Sequence, residues 1–344
     1  MEQKITRNTD NKILIDWLSF TSKIHSPQSI IELLGLTGCK FTETYGMQGY
    51  QDRLIFDGIS IHFNSHRNEG VWVEMSGQGC RAFETYCNYD DGFLYLFEYF
   101  KEYPDEYHIT RLDVAYDDFQ GIIPIKSFAR DILNKNYVSR FRDDSMTVTC
   151  SAGRVGYTID CGSRKSEIKF RIYDKSYERG YRDDEHFTWN RFEIQMRNDR
   201  AFNFLKLLDS ENLGQIFCGV IINYLRIVKP DKNDSNKRRW SMKKWFNDFI
   251  GYAERISLFT KCDEEYNLAK CEDFVYGHCG NALDTLITIK GIDKVVEELG
   301  QRKPERSQKY INLINEYESM KNKKASAEDN SADILQFLQE KDGF

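Results

Sequence analysis

The sequence lacks the features that mark membrane, secreted and nucleotide-hydrolysing proteins. No run within its 344 residues approaches the roughly 20 apolar positions that span a bilayer. Residues 1–10 are polar and contain no apolar segment of a signal peptide, which predicts a cytoplasmic protein without a membrane partner. A Walker A loop and a GxGxxG motif are also absent, so nucleotide hydrolysis is not supported.

Zinc sites and disulfides are equally unsupported. The 9 cysteines never form a CxxC pair, and an odd, unpatterned set in a chain of this size indicates free thiols. The 6 histidines contain no histidine-hydrophobe-histidine metal motif, and His62 and His66 are their only close pair. With 5 prolines, 40% hydrophobic and 30% charged residues, the chain has the composition of a globular protein.

The formal net charge of -6 argues against a protein that binds DNA through electrostatics alone. Positive charge is nevertheless concentrated between Arg226 and Lys244, where Asp231 and Asp234 are the only acidic residues. This basic segment is either a solvated linker or a DNA contact. Its central cations are Lys237, Arg238 and Arg239.

Strand and helix patterns alternate through the first two thirds of the chain. This mixture predicts an α+β fold, a mostly antiparallel sheet with helices on one face. Alternation and β-rich runs predict strands over residues 13–21, 53–56, 60–64, 71–75, 110–116, 145–150, 157–161, 168–174 and 187–197. Helical spacing predicts helices over residues 28–34, 80–99, 125–133 and 200–208.

A weak internal repeat suggests that the sheet has two similar halves. Glu74 and Glu193 each stand in a predicted strand, seven residues before an Arg-Ala-Phe sequence that begins at Arg81 and at Arg200. Each Arg-Ala-Phe stands at the start of a predicted helix. We therefore expect two strand-and-helix units that share one sheet.

A change in composition after Leu225 predicts where the chain divides. Aromatic residues beyond it, including Trp240 and Trp245, recur at helical spacing and are expected in a core rather than as base-stacking platforms. The predicted parts are a sheet domain over residues 1–225, a basic connector over 226–240, a helical C-terminal domain over 241–320 and a loose tail over 321–344.

Three predicted strands carry charged residues on one face and apolar residues on the other. Because side chains alternate along a strand, Arg111, Asp113 and Asp117 share a face while Leu112 and Val114 lie on the reverse. The polar faces of the two later strands carry Arg191, Glu193, Gln195 and Arg197, and Lys169, Arg171, Tyr173 and Lys175. If these strands share a sheet, one face presents carboxylates, cations and a tyrosine.

The carboxylates on this face suit a divalent metal ion. Asp113 and Glu193 supply the hard oxygen ligands that Mg²⁺ or Mn²⁺ prefers, and Asp117 or Glu178 would complete the site. A metal there would polarise a phosphoryl oxygen and orient the phosphate for attack. The structural alternative is that Asp113 and Glu193 pair with arginines on a solvated face.

Tyr173 is the candidate nucleophile for such a phosphate. A phenol with a pKa near about 10 needs help to react at neutral pH, and Lys175, Arg171 and the metal are the cations that would lower this pKa. Tyr177 is the rival nucleophile. Either tyrosine would be structural if its ring only packs and its hydroxyl only satisfies a hydrogen bond.

These three strands together resemble the replication initiation factor family. That family includes plasmid rolling-circle Rep proteins, phage replication initiators and related conjugative relaxases. The resemblance rests on residues 110–118, 162–178 and 191–197 and extends in order over 13–208. It implies a metal-dependent DNA endonuclease and strand transferase that nicks a hairpin origin, stays on the 5′ end through tyrosine and later rejoins the strand.

Carried over by motif, Tyr173 would be the nucleophile, Asp113 and Glu193 would serve the metal, and the sheet domain would be the nickase domain. Origin DNA, single-stranded or in a hairpin, would be the partner, and a host helicase and a second copy of the chain are further candidates. A conjugative relaxase with the same chemistry and a non-catalytic DNA-binding regulator are the alternatives. The cations expected to contact DNA are Arg164, Lys165, Lys169, Arg191, Arg197, Lys237, Arg238 and Arg239.

Overall fold

A computed structural model places the chain in two compact units, Met1–Asp263 and Glu264–Phe344. The residues that the structure describes are 10–67, 69–151, 154–179, 188–208, 212–255, 268–273, 275–276, 280–301, 313–315 and 317–318.

The first half of the first unit contains five strands and three helices. In chain order they are β1 (Lys12–Ser22), α1 (Pro27–Leu33), β2 (Thr42–Tyr45), β3 (Tyr50–Phe56), β4 (Ile59–Ser65), β5 (Val71–Met75), α2 (Gly77–Tyr86) and α3 (Gly92–Glu102).

The second half repeats this order with additions. Its elements are β6 (Tyr107–Asp118), α4 (Ile125–Leu133), β7 (Tyr137–Ser139), β8 (Asp144–Ser151), β9 (Arg154–Cys161), β10 (Ile168–Asp174), α5 (Lys175–Glu178), β11 (Asn190–Arg197), α6 (Asp199–Leu207), α7 (Leu213–Tyr224), β12 (Leu225–Ile227), a 3₁₀ turn (Lys237–Arg239) and α8 (Lys244–Ala253).

Local sequence explains several boundaries. Helix α1 begins where Pro27 supplies a helix-compatible φ and the Ser26 hydroxyl accepts a hydrogen bond from the Ser29 backbone N–H at 3.1 Å. Strands β3 and β4 are joined by Asp57 and Gly58, whose φ angles are 40° and 83°. Two positive φ angles in a two-residue Asp-Gly connection are typical of the tight turn that matches strand twist.

Ten strands form one antiparallel sheet, which confirms the expected α+β class. From edge to edge the order is β2-β3-β4-β5-β1-β6-β11-β10-β9-β8. Strands β1 and β6 are neighbours at the centre. Strands β5 to β2 follow outward from β1, and β11 to β8 follow outward from β6, each set in the reverse of its chain order, while β7 and β12 form a separate two-stranded sheet. The two similar units expected from the repeated glutamate motif are therefore the two halves of this sheet.

The helices cover one face of the sheet. The side chains of Leu112, Val114 and Tyr116 on β6 are fully buried in the same cluster as Phe83 of α2 and Phe204 of α6. The intervening residues of β6 point to the opposite face, because side chains alternate along a strand. That opposite face carries the charged residues singled out in the sequence.

One helix prediction differs from the structure. The helical spacing predicts one helix over residues 80–99, but α2 and α3 are separate and joined by residues 87–91. Gly92 then allows α3 to approach α2, since a Cβ there would lie 2.5 Å from Cys87 Sγ. The long apolar spacing persists across the break because both helices bury residues in one core.

The division of the chain also differs from the expected one at residues 226–240. Helix α8 follows the connector, yet its Phe246, Phe249 and Ile250 belong to the same buried cluster as Tyr116 of the central strand. Phe249 stands edge-on to Tyr116 with ring centroids 5.1 Å apart. The connector is therefore held on both sides by the first unit, whose boundary with the second lies at Asp263.

The second unit contains α9 (Leu268–Asp273), α10 (Gly280–Lys290) and α11 (Ile292–Gln301) among its described residues. Gly291, with φ of 81°, separates α10 from α11. Lys290 of α10 pairs with Glu298 of α11 at 2.8 Å. The predicted loose tail over 321–344 lies outside the described residues.

Two expectations about the whole chain can be compared with the described residues. None of their helices is both long enough and apolar enough to cross a membrane. Among the cysteines that the structure describes, Cys80, Cys218 and Cys271 are free thiols, as expected.

Candidate active site

The neighbouring strands β6, β11 and β10 bring Asp113, Glu193 and Tyr173 onto the sheet face opposite the helices. Glu193 lies one strand from Asp113, and Tyr173 lies on the strand beyond. Relative exposures of 1%, 5% and 4% show that surrounding side chains cover all three. In such a low-dielectric setting, charges interact more strongly than on an open surface.

Asp113 and Glu193 form a buried carboxylate pair. Asp113 accepts two hydrogen bonds from Arg111, from Nε at 2.9 Å and from Nη2 at 2.5 Å. Burial raises the pKa of Asp113 well above its usual range; Arg111 opposes the shift and Glu193 adds to it. Glu193 Oε1 accepts a hydrogen bond from Gln195 Nε2 at 2.6 Å. The pair therefore places two buried carboxyl groups beside a single arginine.

The Tyr173 hydroxyl lies between a cation and this carboxylate pair. Lys175 Nζ donates to the Tyr173 oxygen at 3.1 Å, and the tyrosine hydroxyl lies 3.5 Å from Glu193 Oε2, toward which it donates. The Arg171 guanidinium stands 5.2 Å from the centre of the tyrosine ring. Burial raises the pKa of Tyr173 above its usual value, while Arg191 opposes this and Glu193 adds to it. The phenol is therefore protonated in this state.

Arg191 binds two other carboxylates on the same face. It donates to Asp117 from Nε at 2.7 Å and from Nη2 at 2.9 Å, and its Nη1 lies 2.7 Å from Asp16. Although burial alone would raise the pKa of Asp117, the Arg191 guanidinium outweighs it and lowers that pKa. Asp117 was expected as a metal ligand, but both of its carboxylate oxygens accept hydrogen bonds from the buried Arg191.

The chain turns sharply after Tyr173 and fixes the next four residues. Asp174 caps the short helix α5, accepting from the Tyr177 backbone N–H at 2.9 Å. Lys175 forms an ion pair with Glu178, whose side chain is 46% exposed. Glu178, the other expected metal ligand, therefore lies at the rim and is engaged by a lysine.

Tyr177, the rival nucleophile, lies against a neighbouring strand. A Cβ on Gly156 of β9 would fall 2.6 Å from Tyr177 Cδ1, so the ring packs directly on the glycine backbone. The helix turn thus directs Tyr177 toward β9, while Tyr173 stays on β10 beside Glu193.

Several of the expected DNA-binding cations surround a small cavity of about 130 Å³. Arg164, Lys169 and Arg197 line it together with Ser163, Ser166 and Gln195, the last of which also donates to Glu193. Lys169 is held by Asp160 at 2.6 Å. Lys165 is exposed in the same loop. Three cations and two hydroxyls thus line a cavity that Gln195 connects to Glu193.

The cations of the connector occupy an exposed 3₁₀ turn. Lys237 Nζ donates to the Lys135 backbone carbonyl at 2.6 Å, and Arg239 pairs with Asp234 at 2.6 Å. Arg238 is exposed beside them. These contacts tie the connector to the loop after α4 and leave its charges at the surface.

Sequence reasoning did not assign roles to three residues of the site. Arg111 and Gln195 were placed on the polar face by alternation, but only the folded sheet reveals that they hydrogen-bond Asp113 and Glu193. Asp16 gave no signal, because a register shift between Ile15 and Trp17 breaks the alternation of β1 at this residue.

Comparison with known families supports the resemblance carried by strands β6, β10 and β11. The family model described as replication initiation factor matches residues 107–301, more than half of the chain. The chain belongs to the replication initiation factor family. A second model, the rolling circle replication initiation protein N-terminal domain, matches residues 12–102 of this family member. The two models divide between α3 and β6, where the two halves of the sheet meet.

Two relatives cover most of this replication initiation factor. A Bacillus subtilis (strain 168) protein named "Putative DNA relaxase NicK" is 30% identical over 300 residues, which are 84% of this chain and 82% of the relative. The solved rolling circle replication initiator protein from Geobacillus stearothermophilus is 30% identical, with a TM-score of 0.66 over 73% of this chain and 99% of that one. The family expected from the sequence is thereby confirmed.

Proposed function

We propose that this protein nicks one DNA strand at a replication origin, with Tyr173 as the nucleophile, and later rejoins the strand. The observation that carries this proposal is the position of the Tyr173 hydroxyl, 3.1 Å from Lys175 Nζ and 3.5 Å from Glu193 Oε2. A nucleophile needs a proton acceptor and a nearby cation, and this hydroxyl has both. The packing of Tyr177 against Gly156 favours Tyr173 over its rival.

In the proposed reaction the Tyr173 oxygen attacks the phosphorus of the scissile phosphodiester. The bond from phosphorus to the 3′ oxygen breaks, the 5′ phosphate stays on the tyrosine, and the 3′ oxygen takes a proton from water. Glu193 Oε2 receives the phenol proton, while the Lys175 ammonium stabilises the charge that develops on the phenol oxygen. Attack by a free 3′ hydroxyl on the phosphotyrosine reverses these steps and rejoins the strand.

Asp113 and Glu193 are the residues that we propose to hold Mg²⁺ or Mn²⁺. Their fit rests on hard carboxylate oxygens that are adjacent and buried, with a raised pKa at Asp113. The described residues contain no group of three or more histidine, cysteine or acidic side chains placed to bind a metal. Remaining ligands would therefore come from DNA and water. Such an ion supplies Lewis acidity that polarises a phosphoryl oxygen.

The basic cavity beside the carboxylate pair is the proposed contact for the DNA backbone. Arg164, Lys169 and Arg197 line it, and a phosphate is a small, anionic group that matches their charge. Lys165 and the connector cations Lys237, Arg238 and Arg239 are exposed and would add contacts that do not depend on base sequence.

Two further partners follow from the proposed reaction. Strand displacement after the nick needs a helicase, and because the chain has no Walker A motif, a host helicase is the proposed source. A second nick needs a second nucleophile, which either Tyr177 or a second copy of the chain would supply. Conjugative transfer uses the same chemistry, and the name of the Bacillus subtilis relative supports that alternative.

The test is formation of a covalent protein–DNA adduct. The full chain is incubated with Mn²⁺ and a labelled single-stranded oligonucleotide from its own replicon's origin, and the products are separated on a denaturing gel. We expect an adduct that Tyr173→Phe abolishes and Tyr177→Phe retains, because only the first variant removes the proposed nucleophile. Loss in Tyr177→Phe alone would reassign the nucleophile. Tight binding without cleavage under any divalent metal would support a DNA-binding regulator instead.

A further inference from the structure

The first half of the sheet has its own glutamate at the position that Glu193 occupies in the second half. Glu74 stands next to Ser60 on the neighbouring strand β4, as Glu193 stands next to Arg171 on β10. Glu74 also stands next to Ser19 of the central strand β1, as Glu193 stands next to the central strand β6. The repeated glutamate motif therefore has the same location in both halves.

The tyrosine and arginine of the candidate active site have aromatic counterparts. Two residues along the same strands, His62 stands next to Trp72, as Tyr173 stands next to Arg191. His62 thus occupies the position of Tyr173, and Trp72 that of Arg191. The first half keeps the glutamate but has no phenol beside it at this position.

These counterparts form an aromatic stack on the helix-free face. The rings of His62 and Trp72 are parallel within 20°, with centroids 4.4 Å apart, and Tyr50 lies 6.0 Å from Trp72. Burial, aided by Arg53, lowers the pKa of His62 to about 4, so its imidazole is neutral at pH 7. Trp72 is only half-buried and is reachable from solvent. Aromatic rings on an open sheet face are typical of surfaces on which nucleic-acid bases stack.

Polar atoms around the stack have no hydrogen-bond partner within the described part of the chain. They are His62 Nδ1 and Arg53 Nε, both buried, and His62 itself is 1% exposed. Leaving such groups unpaired is costly, and a bound ligand can satisfy them. Glu74 is half-buried. Burial raises the pKa of its carboxyl group, and Arg111 and Arg53 oppose this shift. The surface therefore presents hydrogen-bond donors, the Glu74 carboxylate and the Trp72 ring.

We propose that this surface, made of Arg53, His62, Trp72 and Glu74, binds a base of single-stranded DNA. The base stacks on Trp72, and its polar edge contacts the Arg53 guanidinium and the Glu74 carboxylate, which together can recognise an acceptor and a donor. The inference rests on the proposed nicking function and assigns the first half of the sheet to holding the strand that the second half cuts.

One row of side chains connects the two sites. Arg111 pairs with Asp113 of the candidate active site and stands next to Ser19, which in turn stands next to Glu74. Strands β5 and β11 are separated by the central pair, and at the usual spacing between strands this is about 15 Å. A short single strand could therefore occupy both sites at once.

The first experiment measures DNA affinity without the covalent step. Full-length Tyr173→Phe is titrated with a fluorescein-labelled single-stranded origin oligonucleotide, and the anisotropy is followed. Adding Arg53→Gln or Trp72→Thr is expected to raise the Kd about fivefold or more, because each removes a base contact. Arg130→Gln, which removes an exposed arginine from helix α4, should leave the Kd unchanged. An unchanged Kd in both test variants would overturn the proposal.

The second experiment locates the base. Oligonucleotides with 5-iodouracil at successive positions are crosslinked by ultraviolet light to Tyr173→Phe, and the modified peptides are identified by mass spectrometry. A crosslink at one position to the peptide containing Trp72 supports the proposal. Crosslinks confined to residues 107–255 would overturn it, and this result does not depend on how well any variant of Trp72 folds.

Failure of this inference differs from failure of the nicking function. An adduct with the unmodified protein, together with no crosslink to the first half, would leave the nickase intact and remove only the base site. No adduct under any metal, together with a crosslink at Trp72, would retain DNA binding and remove the catalytic step.

Discussion

The two halves of the sheet have the same strand order and a glutamate at the same place, yet their side chains differ in kind. In the second half, Glu193 has a phenol, a lysine and a carboxylate partner nearby. In the first half, Glu74 lies beside an imidazole stacked on an indole. The comparison teaches that one backbone arrangement can carry two chemically different surfaces, for which we propose a reactive role and a binding role, according to the side chains at a few positions.

The difference extends to how each half is held together. Arg191, which is 4% exposed, joins Asp117 of β6 to Asp16 of β1 through charged hydrogen bonds. At the matching position Trp72 packs on His62 without a charge. The second half therefore depends on paired charges that must be satisfied together, whereas the first depends on ring packing.

The largest expected difference between the halves is in reaction rate. Glu193→Gln should slow adduct formation at saturating DNA by about 10³-fold, because it removes the proposed proton acceptor and metal ligand. Glu74→Gln should instead raise the DNA concentration that gives half the maximal rate. Single-turnover kinetics on a denaturing gel separates the two effects.

The control for these glutamates is Glu98→Gln, which removes a carboxylate of helix α3 that pairs with Lys101 in the same helix. It should behave as the unmodified protein does. Equal loss of maximal rate in Glu193→Gln and Glu74→Gln would mean that both halves contribute to chemistry, and the distinction between them would fail.

The next effect is on stability. Arg191→Met should lower the free energy of unfolding by about 3 kcal/mol, because it leaves Asp117 and Asp16 without their cation. Arg171→Met, on the same face but 42% exposed, should cost less than about 1 kcal/mol. Urea unfolding followed by circular dichroism measures both, and similar losses would contradict the role assigned to Arg191.

The smallest expected effect is a dependence of stability on pH that comes from the first half. His62 has a pKa of about 4 when folded and a usual value of 6.5, so the unfolded chain binds its proton first as the pH falls. The contribution of His62 to the free energy of unfolding is fully present above pH 6.5 and declines toward pH 4. At pH 5 the loss is roughly 2 kcal/mol.

His62→Gln should remove that decline, and the exposed His66→Gln should retain it. Urea unfolding at pH 7 and pH 5 provides the comparison. If His62→Gln loses as much stability between these pH values as the unmodified protein, His62 is not held neutral by its aromatic site.

The two-residue period of strands explains why much of the site was visible in the sequence. Asp113, Glu193 and Tyr173 were placed on one face because alternation depends only on chain order within each strand. The same period put Asp117 on that face, but it could not reveal that Arg191 on the next strand binds both its oxygens. Contacts between strands depend on register, which alternation does not contain.

Helical spacing was less informative about which core a helix joins. The aromatic residues of α8 predicted a buried helix, and Phe246 and Phe249 are buried. The expected separate helical domain placed them in a different core, whereas they pack beneath the central sheet. An apolar stripe indicates that one face is buried and does not identify the partner.

The sequence by itself determined the family, the α+β class, the repeated halves and the polar faces of the strands, because motifs and side-chain periods are properties of local chain order. Only the tertiary structure decided that Lys175 and Glu193 lie within hydrogen-bonding reach of the Tyr173 hydroxyl and that Arg191 binds Asp117. It also decided that His62 stands at the position where the second half has Tyr173. These relations depend on the register between neighbouring strands, which is fixed when one face of the sheet is buried against the core.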